Sequence, residues 1–476
     1  MLRMLGSHRR CCDGITRRET LRAGSLAMLG SMGLPGVSMA ANPAVAPTGG
    51  KAKNVILLYL LGGAPTQDML DLKPEAPSEI RGEFQPIDTD IPGIQICEYL
   101  PRTAKWMHSA AIVRSVNHQA GSHNCLPSYT GLEKSVNTNA IDPSQPPGMG
   151  SVVSYMNRGD NRIPPYVYLP AYLGWGQTVR RPGPYGGFLG DRYDPLFSQC
   201  NPYIDKPPEI RDEPQVLRGT PVLGDSQLQA GITIDRLNSR QSLLSQLDSE
   251  FRRAGNAAEA TGYSRLQRDG FNLLTASKVK TAFDVSQEDP KLQERYGQYL
   301  FGTSTLVARR LIETGVRFVN VTWDCYWERF QLQNAAWDTH YRTFGIMREY
   351  NLPWFDLTYT ALLEDLQNRG LLDETLVVVM SEMGRAPRVN KDAGRDHWTR
   401  CYSVMFAGAG IRGGTVYGAS DAQAAFVKDK PVSTGDICAT VYQCLGIDAN
   451  STMVPDATGR PHHIASGGQP LWDILA

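Results

Sequence analysis

Uninterrupted apolar runs along the chain predict buried strands. The run Asn54–Leu61 ends at Gly62-Gly63, a pattern typical of a strand buried on both faces of a parallel sheet. A second apolar run covers Ala110–Val116 and leads into a loop rich in His, Gly, Ser and Asn. We therefore predict that both segments are core strands of one sheet.

Helical patterns precede the next two strands. In both places a helix ends at a glycine that leads into an apolar run: Thr303–Thr314 before Arg317–Thr322, and Leu352–Arg369 before Thr375–Met380. A short strand at Tyr402–Phe406 and a closing helix at Ser433–Leu445 follow. This alternation predicts an α/β fold, with a mostly parallel, doubly wound sheet and helices on both faces.

The middle of the chain has a different texture. Residues 157–224 are rich in Pro, Gly, Tyr and Arg with little periodicity, and Ile234–Ala254 reads as a long, charged, amphipathic helix. We predict one domain over residues 54–476, with a cap or lid inserted at residues 157–260. The arginines Arg180, Arg181 and Arg192 in this stretch could meet an anionic substrate, although a salt-bridged surface explains them equally well.

The N-terminus has the order of features expected of an export signal. Residues 16–22 (TRRETLR) contain a paired arginine, residues 23–37 are weakly apolar, and Ser38-Met39-Ala40 fits a small-x-small cleavage site. We expect a twin-arginine signal peptide at residues 1–40, a linker at residues 41–53, and a periplasmic or extracellular protein. A basic tail with a short amphipathic helix is the alternative. Twin-arginine export carries folded proteins, which hints at a metal inserted before export.

Composition narrows the class of protein without choosing a substrate. The 48 basic and 48 acidic side chains balance, so no charge excess directs the chain to nucleic acid or to an anionic membrane. No run of 18 apolar residues is present, which predicts a mature chain without a transmembrane anchor. Seven of the nine cysteines lie after residue 40, at irregular spacings that form no zinc knuckle, and we expect mostly buried thiols.

Polar residues follow each predicted strand where that strand ends. In an open parallel sheet, ligands bind beyond the carboxyl ends of the strands, so these residues are the first candidates for a site. They are Gln67-Asp68, Asn117-His118, Ser122-His123-Asn124, Trp323-Asp324 and Ser381-Glu382. We expect their carboxylates and imidazoles to converge on one edge of the sheet.

Two loop motifs add further metal-type donors. Residues 337–340 read WDTH and residues 394–398 read GRDHW, and mixed nitrogen and oxygen donors suit a divalent ion such as zinc, calcium or manganese. The alternatives are a turn with a satisfied histidine in WDTH, and a surface pair of Asp396 with Arg395 or Arg400 in GRDHW.

Several of these segments resemble a known exported family. The runs GGAPTQDMLDLKP (62–74), WDTH, RGLLDETLVVVMSEMGR (369–385), GRDHW and GAGIRGGTVYGASD (408–421) look like the family catalogued as domain of unknown function 1501. That family is similar in turn to sulfatases and alkaline phosphatases, in which a doubly wound sheet holds one or two divalent metals at its carboxyl edge. The resemblance implies the same fold and a metal site here.

The resemblance also suggests metal ligands by position. Ser381-Glu382-Met383-Gly384 matches the sulfatase Ser-Asp-His-Gly strand end, with Glu382 at the metal-binding acid and Met383 where histidine would stand. Gly62-Gly63 replaces the aspartates that follow the first strand in those enzymes, which leaves Asp68 or Asp71 as substitutes. The resemblance thus implies Glu382 and His397 as ligands, with Asp68 as a further candidate, in a site that is altered, rebuilt from Asp338 and His340, or absent.

A nucleophile is implied in the loop after the second strand. Sulfatases carry Cys-x-Pro-Ser-Arg there, and residues 125–129 read CLPSY, with Tyr129 in place of the arginine. Candidates are Cys125, Ser128 and Thr130, with His123 as acid, base or metal ligand. The alternatives are a turn with a buried thiol and histidines that cap the helix.

These observations define three hypotheses on function. The first is an exported, metal-dependent hydrolase of sulfate or phosphate esters, acting on a small-molecule or polysaccharide substrate. The second is a non-catalytic, exported polysaccharide-binding protein on a degraded sulfatase-like fold, favoured by the changes at Gly62-Gly63, Met383 and Tyr129. The third is a structural core without a small ligand, in which His340 and His397 affect stability alone.

Overall fold

The computed structural model describes most of the chain after the predicted signal peptide. The described residues are 50–134, 136–156, 163–175, 179–206, 215–223, 277–324 and 336–476. The predicted signal peptide, most of the linker, the predicted helix Ile234–Ala254 and Cys325 lie outside them. In the described part, no helix is both long enough and apolar enough to cross a membrane.

One eight-stranded sheet forms the centre of the fold. Its strands, numbered in chain order, are β1 Asn54–Leu60, β2 Ala110–Val116, β3 Tyr166–Leu169, β4 Leu196–Phe197, β5 Phe318–Trp323, β6 Thr375–Met380, β7 Tyr402–Gly408 and β8 Thr415–Tyr417. Their order across the sheet is β8-β2-β7-β6-β1-β5-β3-β4. Every strand runs parallel to β1 except β7, which pairs antiparallel with both β6 and β2.

Apolar residues on β1 alternate between two hydrophobic cores. Ile56, Leu58 and Leu60 belong to one core, and Leu57 and Tyr59 belong to the other, on the opposite face of the sheet. Since successive side chains of a strand point to opposite faces, an uninterrupted apolar strand needs cover on both sides. The sheet is therefore buried on both faces, which confirms the predicted α/β fold class.

Helices provide this cover. Leu300–Glu313 and Leu352–Asn368 pack into the first core, and Thr434–Cys444 packs into the second. The other α-helices are Thr66–Met69, Ser78–Arg81, Leu126–Thr130, Met149–Met156, Ser277–Phe283, Pro290–Tyr296 and Thr343–Ile346, and a π-helical turn at Met347–Asn351 joins the last of these to Leu352–Asn368.

Short segments complete the architecture. The 3₁₀ turns are Thr103–Ser109, Gly187–Leu189, Asp191–Tyr193, Val285–Gln287, Leu372–Glu374 and Trp472–Ile474. Antiparallel two-stranded ribbons pair Pro86–Asp88 with Gln95–Cys97, Gly174–Trp175 with Val179–Arg180, Gly384–Arg385 with His397–Trp398, Ala419–Ser420 with Val427–Asp429, and Met453–Pro455 with Pro461–His463.

The stretch predicted as an insertion contributes to the central sheet. Strands β3 and β4 fall inside residues 157–260, and β3 is hydrogen-bonded to β5 in the parallel part of the sheet. With only four residues in β3 and two in β4, the periodicity of these strands is too short to stand out from the surrounding loops. The cap at residues 157–260 stays a prediction, and residues 157–162, 176–178, 207–214 and 224–260 of it lie outside the described residues.

Candidate metal centre

Parallel strands bring the polar loops to one edge of the sheet. Strand β1 lies between β6 and β5, with Tyr59 opposite Met380 and Leu60 opposite Trp323, so the three strands end together. The loop after β2 reaches the same edge, because the His123 ring meets the Glu382 carboxylate that follows β6. Of the groups expected to converge, His118, His123 and Glu382 are in contact at this edge.

Gly62 allows the chain after β1 to turn close to Asp338. Its φ is +115°, and a Cβ placed on it would lie 2.6 Å from the Asp338 backbone nitrogen. Its own N–H donates to the two oxygens of Glu382 at 2.9 and 3.2 Å. A glycine is therefore required at position 62, because only a residue without a side chain fits this backbone conformation and the close approach to Asp338.

Three histidine rings surround the carboxylate of Asp338. The Nε2 atoms of His340 and His397 each lie 3.0 Å from Asp338 Oδ1, and His123 Nε2 lies 3.4 Å from Oδ2. The two Nε2 atoms of His340 and His397 are 2.9 Å apart. Asp338 is only 3% exposed, so its carboxylate and the three rings form a partly buried cluster.

Carboxylates hold the far side of two of these rings. His123 Nδ1 lies 3.1 Å from Glu382 Oε1, and His340 Nδ1 lies 3.2 Å from Asp396 Oδ1. A carboxylate on Nδ1 favours the tautomer with its proton there, which leaves the Nε2 lone pair directed at the cluster. Metal-ligating histidines in proteins have this arrangement.

Buried hydrogen bonds fix the peptide that carries Glu382. His118 is 1% exposed and its Nε2 lies 2.8 Å from the Glu382 carbonyl oxygen. The Ser381 hydroxyl donates to the Leu60 carbonyl at 2.6 Å and accepts from the Gly63 N–H at 3.0 Å. Glu382 is thus held in place by its neighbours on β1 and on the loop after β2.

A buried arginine ties the cluster to the turn after β1. The Arg385 guanidinium is fully buried and donates to Asp338 Oδ1, to the carbonyl oxygens of Gly62 and Gly63, and to that of Arg395. Its positive charge balances part of the negative charge of the site. Arg385 also fixes the position of Asp338, because the same guanidinium binds the Asp338 carboxylate and the backbone carbonyls of Gly62, Gly63 and Arg395.

Electrostatics stabilise the charged forms of Asp338, His123 and His340, but not that of His397. Burial raises the pKa of Asp338, but hydrogen bonds from the three histidines and the charge of Arg385 outweigh it and hold that pKa well below its usual value. Burial lowers the pKa of His123, but Asp338 and Glu382 raise it above the usual value. The bond to Asp338 raises the pKa of His340, whereas burial lowers the pKa of His397. The site favours added positive charge.

The donor set fits a divalent metal. One donor atom each from His123, Asp338 and His397 lies within 4.8 Å of the other two, and this is the one such group found among the described residues. Ions with bonds of about 2.1 Å place neighbouring ligand atoms roughly 3.0 to 3.4 Å apart, and the separations around Asp338 are of that size. Two opposed Nε2 atoms 2.9 Å apart also need a proton or a cation between them.

Asp68, predicted as a metal ligand, lies in a separate ion pair. Its two carboxylate oxygens accept from Arg395 Nε at 2.7 Å and Nη2 at 2.8 Å, and both side chains are buried. Burial raises the pKa of Asp68, and the charge of Arg395 opposes this. With both oxygens engaged, Asp68 supports the loop 394–398 from behind, and its role as a ligand stays a prediction.

The candidate nucleophiles are buried beside the cluster. Cys125 is 1% exposed, and burial raises the pKa of its thiol to about 12. The Ser128 hydroxyl lies 2.8 Å from Tyr59 Oη and donates to the Cys125 carbonyl at 2.8 Å. The Thr130 hydroxyl donates to the Leu126 carbonyl, also at 2.8 Å. These side chains hold the short helix in place, and a nucleophilic role for them stays a prediction.

Some residues of the centre had weak signals in the sequence. Arg385 stands in the quoted segment SEMGR, but nothing in that segment indicates that its guanidinium turns inward. Asp396 was considered as a partner of Arg395 or Arg400, whereas its Oδ1 lies 3.2 Å from both His340 Nδ1 and Asn390 Nδ2. The one available signal was the density of charged residues beside glycines at predicted strand ends.

The fold and the site define an α/β protein with a His/Asp cluster at the carboxyl edge of a doubly covered, mostly parallel sheet. Residues 52–475 match the family described as protein of unknown function (DUF1501), so the chain belongs to that family, as its motifs indicated. Among curated proteins, no relative matches the chain.

Solved structures that match the chain at low identity include a protein in the alkaline phosphatase superfamily. One is Ps i-CgsB in complex with k-i-k-neocarrahexaose, with 12% identity, 83% of this chain and 72% of that chain covered, and a TM-score of 0.38. A protein in the alkaline phosphatase superfamily from Vibrio parahaemolyticus has 10% identity, coverages of 92% and 76%, and a TM-score of 0.36. A phosphonate monoester hydrolase from Silicibacter pomeroyi has 12% identity, coverages of 89% and 76%, and a TM-score of 0.32.

Proposed function

We propose that this protein is an exported, metal-dependent hydrolase of sulfate or phosphate esters. The observation that carries the proposal is the arrangement around Asp338: three imidazole Nε2 atoms lie 3.0 to 3.4 Å from its carboxylate. Two of the rings are also held by carboxylates on Nδ1. In the metal-free cluster these rings donate hydrogen bonds to Asp338, and loss of the Nε2 protons would leave nitrogen lone pairs beside one carboxylate, which is a donor set for a cation.

Each residue of the centre has a distinct task in this proposal. Asp338, His123 and His397 hold the ion, and His340 completes the set on the more exposed side. Glu382 keeps the proton of His123 on Nδ1, and its own carboxylate is fixed by the Gly62 N–H. Glu382 thus supports the ligand His123 through a hydrogen bond and does not itself hold the ion in this proposal. A bound divalent ion would polarise the ester oxygen and stabilise the charge that develops there.

The donor types narrow the choice of metal. Calcium prefers sets of oxygen ligands, whereas imidazole nitrogens together with a carboxylate suit zinc or manganese. Among the three ions considered from the sequence, the proposal favours zinc and manganese.

The buried, hydrogen-bonded state of the candidate nucleophiles favours a second hypothesis, that the protein binds its ligand without cleaving it. A thiol with a pKa of about 12 is protonated at neutral pH, and the Ser128 and Thr130 hydroxyls already donate to carbonyl oxygens. If no side chain attacks, then either water attacks the ester directly or the site binds a sulfated or phosphorylated polysaccharide without cleaving it. The hydrolase and the binding protein share the metal centre and differ in turnover.

Elemental analysis of the purified mature protein tests the metal centre. We expect about one equivalent of zinc or manganese in the wild type, and its loss in Asp338→Asn and His397→Ala. The matched control is His108→Ala, because His108 also pairs with an aspartate, Asp90, but on the surface and outside the cluster. Wild-type protein that stays metal-free after incubation with both ions would rule out the proposal.

Turnover then separates the two hypotheses. The hydrolase predicts saturable release of aryl alcohol from aryl sulfates or phosphates, which a chelator abolishes and added metal restores. The binding protein predicts full metal occupancy without release from any of these esters, together with metal-dependent retention on a sulfated polysaccharide. Export is tested by changing Arg17 and Arg18 to lysine, which should keep the precursor in the cytoplasm.

A further inference from the structure

One residue of the proposed metal set has an unfavourable backbone conformation. His123 has a φ of +55°, in the left-handed region that residues with a side chain seldom adopt. Such a conformation is unfavourable for a residue with a side chain and persists where the surroundings hold it. The conformation directs the His123 ring between Asp338 and Glu382, where it contacts both.

Arg181 holds the backbone of this residue. Its Nη1 donates to the His123 carbonyl oxygen at 2.9 Å, and the side chain is 8% exposed. Its own backbone N–H donates to the Leu173 carbonyl at 2.9 Å, directly after the ribbon of Gly174–Trp175 and Val179–Arg180. The ribbon therefore delivers a charged donor from a distant part of the sequence to the peptide that carries His123.

We infer that Arg181 is a positioning residue for the metal centre, which acts by holding His123 in its left-handed conformation through the carbonyl bond. The inference rests on the proposed function in so far as it concerns metal affinity. Without the bond from Arg181, the His123 peptide can rotate to a more common conformation, and the ring then leaves Asp338. A charge-assisted bond to a buried carbonyl is among the stronger hydrogen bonds of proteins.

The neighbouring arginine offers a matched control. Arg180 is exposed, and its guanidinium lies over the Tyr172 ring, 4.8 Å from the centroid. Replacing Arg180 removes the same charge from the same ribbon without touching His123. A general electrostatic effect of the ribbon would appear in both variants, and a positioning effect in Arg181 variants alone.

The test measures zinc affinity and backbone order in Arg181→Met, Arg181→Lys and Arg180→Met. Zinc affinity is measured by competition with a chromophoric chelator, and order by hydrogen exchange of residues 117–131 in the metal-free protein. We expect a 10- to 100-fold weaker affinity in Arg181→Met, the size found for groups behind metal ligands, with faster exchange of this loop. Lysine should recover part of both, and Arg180→Met should match the wild type.

Two results would overturn the inference. One is wild-type affinity and wild-type exchange in folded Arg181→Met. The other is an equal loss in Arg180→Met. If the wild type binds no zinc, the proposed function fails, yet the exchange of residues 117–131 still decides whether Arg181 orders this loop. If the methionine variant does not fold, Arg181→Lys decides: the shorter lysine should recover only part of the bond, so a folded lysine variant with wild-type affinity and exchange would also overturn the inference.

Discussion

Gly62→Ala should damage the metal centre far more than the stability of the fold as a whole. A Cβ at Gly62 would lie 2.6 Å from the Asp338 backbone nitrogen and 3.1 Å from Asp338 Cβ. Non-bonded carbon and nitrogen atoms ordinarily lie about 3.4 Å or more apart, so Asp338 has to move by several tenths of an ångström. Because metal ligands tolerate displacements of only about 0.5 Å, we expect at least a tenfold loss of metal affinity.

Gly93→Ala separates this steric effect from backbone strain. Gly93 also has a positive φ, +83°, but a Cβ there would meet nothing within 4 Å. Its replacement should cost about 1 kcal/mol of unfolding free energy, the usual penalty for a residue with a side chain in this region. Gly62→Ala bears the same strain plus the clash with Asp338.

The assay combines urea unfolding of the metal-free proteins with zinc titration of the folded ones. The expected pattern is a loss of stability of about 1 kcal/mol in Gly93→Ala, a larger loss in Gly62→Ala because of the added clash, and a loss of zinc affinity in Gly62→Ala alone. The reasoning would be refuted by a folded Gly62→Ala protein with wild-type zinc affinity, because the turn would then have no influence on Asp338.

Three further predictions concern other parts of the molecule. Glu382→Gln should weaken zinc binding 10- to 100-fold in a titration, because the amide cannot serve both backbone and imidazole donors as the carboxylate does; unchanged affinity would contradict this. Arg309→Met should cost about 3 to 5 kcal/mol in urea unfolding, because the fully buried guanidinium bridges three carboxylates, including Glu288. Burial raises the pKa of Glu288, but Arg309 and Arg310 outweigh this effect and hold that pKa below its usual 4.5. The stability that Glu288 contributes is therefore present above about pH 4.5 and is lost as the pH falls through its folded-state pKa. The Arg309→Met protein should lose less stability on acidification than the wild type. The Cys125→Ala protein should retain its metal and any turnover, and iodoacetamide should label the partly exposed Cys200 but not the buried Cys125 in the native protein. A Cys125→Ala protein that keeps its metal but loses turnover would indicate that the thiol is the nucleophile.

The core strands were predictable because their signal is local. An apolar run that ends at glycine or at a polar loop specifies a strand buried on both faces, and β2 and β6 have the bounds expected from such runs. Strands β3 and β4 were missed, since they are short and their neighbours in the sheet come from distant parts of the chain. The antiparallel direction of β7 likewise depends on tertiary packing.

The candidate site shows the same division. The sequence indicated the residue types of the centre, and it named His123, Asp338, His340, Glu382 and His397, because metal-type donors cluster at predicted strand ends. It could not distinguish the proposed ligands from the carboxylates that we propose to lie behind them. That distinction depends on which ring nitrogen faces which oxygen. Sequence spacing does not indicate which atoms of separate loops lie about 3 Å apart.

The sequence by itself determined the family, the layered α/β class and the edge of the sheet at which the polar residues collect. These follow from the periodicity of apolar positions and from the rule that parallel strands end together. Tertiary structure alone decided that Gly62 allows Asp338 to approach, that Arg385 turns inward to hold it, and that Arg181 reaches His123 from another ribbon. Such contacts join residues far apart in the chain, and only the packed sheet brings their atoms within hydrogen-bonding distance.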